Sequence, residues 1–142
     1  MALLEIDNDK LSYIKEQVKK SYPHECCGLL VGINTSERRV VEVCPVQNKN
    51  FERAHDRYVI ETRDFEKVDK EAAKKGFQII GVYHSHPDHP AVPSVHDTEQ
   101  VCSNWFLSYI IVAIEKGDKI DVKSWVFNEE KKQFEEEEIK LC

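Results

Sequence analysis

The sequence predicts an α/β (α+β) protein built on a central mixed β-sheet with helices on both faces, and three observations carry that expectation. "FQIIGVYH" and "LSYIIVAIE" hold apolar residues at both parities, as strands buried on two faces do. "DNDKLSYIKEQVKKSY" and "RDFEKVDKEAAKKG" repeat apolar residues every three or four positions, the pattern of helices with one buried stripe. Shorter strand-like runs separate and follow them. At 142 residues the length suits one core, so residues 1–142 are expected to form a single domain.

In chain order, a short apolar start precedes a helix marked by Leu11, Ile14 and Val18, with Asp7, Asn8 or Asp9 as N-cap and Pro23 near its end. "CGLLVGIN" and "RRVVEVCPV" read as strands, "QNKNFERAHD" as a polar connection and "RYVIE" as a further short strand. In the second helix Phe65, Val68 and Ala72 share a face, Thr62 is placed to cap the start, and Gly76 sits where a C′ glycine belongs. A doubly buried strand then leads to His84, and a short helix starts at Ser94, with Asp97, Val101 and Trp105 on one inward stripe. After the second buried strand, "EKGDK" is a hairpin turn into "IDVKSWVF", and "NEEKKQ" turns into a last strand or tail. The acidic run Glu135 to Glu138 in that tail is expected on a solvated edge.

Composition narrows the function. The formal charge is 20 − 26 = −6 and the basic residues are spread along the chain, so no phosphate-binding stripe emerges and nucleic acid is not an expected partner. No window approaches the ~18 apolar residues of a membrane span, and "MALLEIDNDK" lacks a cationic region followed by a long apolar run, so the expected setting is cytoplasmic, away from membranes. Five cysteines, odd in number and without a C-x-x-C pair, argue against a disulfide framework or a thiolate zinc finger. Of adjacent Cys26 and Cys27 at most one can face any site, because strand neighbours point to opposite faces. A cysteine hydrolase using one of them stays open at this point. A zinc nucleobase deaminase would need H-x-E with P-C-x-x-C, which the chain lacks.

The stretch "HSHPDHPAVPSVHD", His84 to Asp97, concentrates four of the six histidines. His84 and His86 stand at i and i+2 on a strand, which puts both imidazoles on one face, where they can converge on one ion. Pro87, Pro90 and Pro93 stiffen the connection and delay helix until the chain has turned. Asp97 then falls on the face of the next helix that has to be buried, where a carboxylate needs a positive partner. Zinc takes nitrogen and oxygen ligands, and a catalytic site leaves one position open for water. Ser94-x-x-Asp97 is equally a capping box, a reading that can coexist with ligation. His89 and His96 have directions better suited to solvent. Peptide hydrolysis further needs a base, and Glu25 in "YPHECCGLLVG" is the candidate, with an exposed strand-start charge as the alternative.

"PHECCGLLVG" followed by "GVYHSHPDHPAVPSVHD" resembles the JAMM (MPN-plus, JAB domain) zinc metalloprotease family, of prokaryotic stand-alone type. That family pattern is a glutamate ahead of a C-G-L-L-like strand, then H-[ST]-H-P, six residues and S-x-x-D. The resemblance implies an MPN/JAB-like domain in which His84, His86 and Asp97 bind one catalytic Zn2+. It implies Glu25 as general acid and base, and Ser94 as a donor to the oxyanion of the tetrahedral intermediate. It also implies hydrolysis of a peptide or isopeptide bond at the C-terminal tail of a ubiquitin-like sulfur-carrier protein, or of its conjugate. A Gly-Gly tail suits a narrow groove because it can lie extended and bond through its main chain. Homodimers occur on this fold. A non-catalytic MPN-type binding or scaffold module is the alternative, and the intact ligand set argues against it.

Overall fold

The computed structural model describes residues 3–35, 37–100 and 106–142. The element order is β1 (Leu3–Ile6), α1 (Asn8–Ser21), β2 (Cys27–Asn34), β3 (Arg38–Val46), α2 (Thr62–Lys74), β4 (Gln78–Pro87), α3 (Val95–Gln100), β5 (Ser108–Glu115), β6 (Lys119–Asn128) and β7 (Gln133–Leu141). The strands form a mixed sheet in the order β1-β3-β2-β4-β5-β6-β7, closed into a barrel by parallel pairing of β1 with β7. The pairs β1–β3 and β4–β5 are also parallel, and the rest are antiparallel.

Each helix follows from its stripe. Asp7 caps α1 by accepting from the Lys10 N–H at 2.8 Å, and Leu11, Ile14 and Val18 enter a core with Leu4, Ile6, Leu30, Val40, Ile80 and Ile110. On the opposite face α2 lays Ala72, Phe65 and Val68 against Leu29, Val31, Ile79 and Val82. Helices therefore cover both faces, as the doubly apolar strands require. The C-terminus of α2 is a Schellman motif: Gly76 has φ +80°, its N–H reaches the Ala73 carbonyl at 3.1 Å, and the Phe77 N–H reaches Ala72 at 2.9 Å.

A bulge in β4 decides which face the histidines take. Leu30 pairs with Gly81 and Val31 with Ile79, so Ile80 is the extra residue. Alternation changes parity across it, placing Ile80 and Tyr83 on the α1 side and Ile79 and Val82 on the α2 side. Tyr83 donates its hydroxyl to the side-chain Oε1 of Gln17 in α1, and its ring fills the space above Gly28, where a Cβ would lie 2.2 Å away.

Four expectations need correction. "RYVIE" is not a strand: its backbone bonds go to the Arg53 carbonyl, Asn48 and Lys49, isolated contacts that make no ladder. The first apolar residues form β1, which closes the barrel. Consequently β7 is no edge: it lies between β6 and β1, and Glu137 of the acidic run is buried, accepting from Ser124 Oγ at 2.8 Å. Thr62 is the first residue of α2 rather than its cap, which is Glu61 without a side-chain bond. Val101, Cys102 and Trp105 lie outside the described residues.

Candidate functional site

The far end of β4 carries His84 and His86 two residues apart, and both are buried. The proline-containing turn brings the chain back so that α3 begins beside them. Ser94 and Asp97 make both halves of a capping box: the Asp97 N–H donates to Ser94 Oγ at 3.2 Å and the Ser94 N–H to Asp97 Oδ2 at 2.7 Å. The same carboxylate meets the histidines, with Oδ1 3.1 Å from His84 Nε2 and Oδ2 3.2 Å from His86 Nε2. The two Nε2 atoms are 3.0 Å apart. Cap and inward-facing acid are thus one residue.

Two contacts aim the rings. His86 Nδ1 donates to the Pro90 carbonyl at 2.8 Å, which leaves Nε2 of the neutral ring with its lone pair toward the other two side chains. Tyr58 stacks on His84, with ring centroids 4.3 Å apart and planes 21° from parallel. Burial pushes the His84 imidazole below its ordinary value, favouring the neutral ring. Burial pushes Asp97 upward, yet the neighbouring histidines and the Ser94 N–H outweigh it and hold the carboxyl well below the usual range.

The group fits a zinc ion. One potential ligand atom from each residue lies within 4.8 Å of the others. The closest separations, 3.0 to 3.2 Å, approach the edge of roughly 3.4 Å that ligands ~2.1 Å from zinc make in a tetrahedron. Two nitrogens and a carboxylate oxygen are also a ligand set zinc accepts, and a bare lone pair facing a carboxylate in a buried place calls for positive charge.

Glu25 stands just ahead of β2, buried at 5% exposure, so the exposed-charge alternative does not hold. With His86, Ser94, His96 and Asp56 it lines a cleft of about 430 Å³. Burial first, then the negative charges of Asp97 and Asp56, push its carboxyl up to about 8. Its backbone is tied down twice: the N–H donates to the Ala54 carbonyl, and its own carbonyl accepts from Asn48 Nδ2 at 3.0 Å.

Of the other histidines, His89 is exposed, whereas His96 is half-buried with Nε2 2.8 Å from an Arg57 guanidinium nitrogen. Cys26 and Cys27 are buried on opposite faces, and burial pushes the Cys27 thiol up to about 12, unsuited to nucleophilic work. Sequence reasoning passed over Asn48, Tyr58 and the Pro90 carbonyl. An asparagine in a polar run and a main-chain oxygen carry no pattern, and Tyr58 lay in the misread strand. No helix among the described residues is long and apolar enough to cross a membrane.

The family model for prokaryotic homologs of the JAB domain matches residues 8–128, and the chain belongs to that family. It is 29% identical over 116 residues to the desampylase of Pyrococcus furiosus, covering 82% of this chain and 76% of that protein. It is 27% identical over 119 residues to the desampylase of Haloferax volcanii, covering 84% and 82%. The crystal structure of AF2198, a JAB1/MPN domain protein from Archaeoglobus fulgidus, superposes with a TM-score of 0.63 at 20% identity, covering 100% of both chains, and shares the fold.

Proposed function

We propose that residues 1–142 act as one zinc metallopeptidase domain, hydrolysing a peptide or isopeptide bond at the C-terminal tail of a ubiquitin-like sulfur-carrier protein or its conjugate, in the cytoplasm. The observation that carries this reading is the convergence of His84, His86 and Asp97 beside a cleft that Glu25 and Ser94 share. The likeness to two desampylases supports the substrate class.

His84, His86 and Asp97 hold the metal, which when bound acidifies a water and polarises a carbonyl. Glu25 takes a proton from the attacking water. As the water oxygen bonds to the carbonyl carbon, Ser94 Oγ–H donates to the oxygen that gains charge. Glu25 then passes its proton to the amine as the C–N bond breaks, releasing a carboxylic acid and an amine, between which the remaining proton moves to leave a carboxylate and an ammonium. A carboxyl shielded from water suits both directions of that transfer.

The test combines metal content with turnover. Zinc-loaded, desalted protein should retain about one zinc per chain, and Asp97→Ala should lose it. On a ubiquitin-like sulfur-carrier protein with a short peptide fused after its Gly-Gly, the protein should release the peptide and lose that activity to a chelator. Glu25→Gln should keep zinc while turnover falls by at least a hundredfold. Full activity in Glu25→Gln would overturn the assignment of the base, and absence of bound zinc would leave a binding module.

A further inference from the structure

The connection between β3 and α2 crosses the site as a strap, and one side chain fixes both of its limbs. Asn48 uses its full hydrogen-bonding capacity. Its Nδ2 donates to the Glu25 carbonyl at 3.0 Å and the Arg57 carbonyl at 2.9 Å, while its Oδ1 accepts from the N–H groups of Asn50 and Val59, both at 3.0 Å. The Lys49 N–H adds a bond to the Val59 carbonyl at 3.0 Å. Between these limbs the strap presents the Ala54 carbonyl to the Glu25 N–H. Just beyond it Tyr58 lies against the ring of His84 and Arg57 reaches His96.

We infer that Asn48 is a positioning residue, setting the placement of the Glu25 carboxylate relative to His84, His86 and Asp97. The inference rests on the reading of Glu25 as the base. Glu25 precedes β2: the ladder to β4 starts at Cys27, and Ser85 extends it to the Cys26 N–H and carbonyl, but among the described residues no strand bonds the backbone of Glu25 itself. The strap does, because one side chain holds the Glu25 carbonyl and the backbone on either side of Tyr58. An amide is the side chain that does this: two donors meet two carbonyls and one oxygen meets two N–H groups, a balance that neither aspartate nor leucine reproduces. Misplacement of a catalytic group by about 1 Å costs on the order of a hundredfold in rate, so Asn48 acts on turnover without touching substrate.

The experiment uses the full chain loaded with zinc and the peptide-extended carrier protein as substrate. Asn48→Asp keeps the two acceptor bonds and loses both donor bonds, and Asn48→Ala loses all four. Both are expected to retain about one zinc per chain, with kcat lowered at least tenfold and KM changed less than threefold. Amide exchange gives a readout independent of activity: Val59 and Asn50 should exchange at least tenfold faster in Asn48→Ala and keep their protection in Asn48→Asp. Asn50→Ala, which removes only an acceptor for the Arg53 N–H, should leave kcat unchanged and controls for loosening of the loop. A kcat within twofold of the parent, a loss carried by KM, or zinc lost in step with activity would overturn the positioning role. Activity in Glu25→Gln would instead remove the base assignment on which it stands, and the two failures are thereby distinct.

Discussion

Glu25 shows how a single carboxyl records its surroundings. Burial, with Asp97 and Asp56 nearby, raises it from 4.5 to about 8 in the protein without metal. A carboxyl raised on folding keeps a proton in the native state that the unfolded chain has released. Stability is therefore full below pH ~4.5 and falls as pH climbs toward ~8, by on the order of a few kcal/mol. Urea unfolding in chelator across that window should show the decline, and Glu25→Gln, neutral throughout, should flatten it. An equal slope in both proteins would place the responsible charge elsewhere. The same residue explains a limit of sequence reading. Glu25 was legible through its place in a spaced pattern, while Asn48, 23 positions on, was not, because its role exists only once the strap folds back over the strand start.

At the scale of elements, the strands β2 and β3 and the helix α2 were readable because their signals are local: short apolar runs rich in valine, isoleucine and leucine, a stripe and a terminal glycine. Gly76 offers a clean check. Its φ is +80° and nothing lies within 4 Å of where a Cβ would stand, so Gly76→Ala strains only the backbone. The expected cost is about 1 kcal/mol in thermal or urea unfolding with zinc binding and kcat unchanged. A neutral result would mean that the helix end tolerates another closure. What resisted reading was set by distant partners. Four residues were too few to announce β1, whose strand character comes from β3 and β7 on either side. "RYVIE" had strand-like composition, but its backbone is engaged by Asn48 and Lys49 instead of a neighbouring strand. The run of glutamates suggested solvent, yet alternation turns Glu137 inward to Ser124.

The whole molecule depends on closure. β1 joins β7 to β3, and Leu4 and Ile6, fully buried, tie that seam to the core under α1. Leu4→Ala should cost about 2–5 kcal/mol in urea unfolding, far more than the length of the strand suggests. A loss below 1 kcal/mol would show that the barrel stands without its seam. Closure also leaves the candidate metal residues at one end of a scaffold whose strand pairings hold β4 in place, so the bulge at Ile80 has a consequence for inheritance. β4 behaves like a reading frame: were Ile80 paired in a regular ladder instead of bulged, with Ile79 kept in place, both imidazoles would turn toward α1 and Tyr83 and Ser85 would face the cleft instead. An added residue between Ile79 and His84 that the bulge does not absorb is therefore expected to swap the faces of everything beyond it, whereas the exposed turn between Asn128 and Gln133 joins two strands by their ends and carries no such frame.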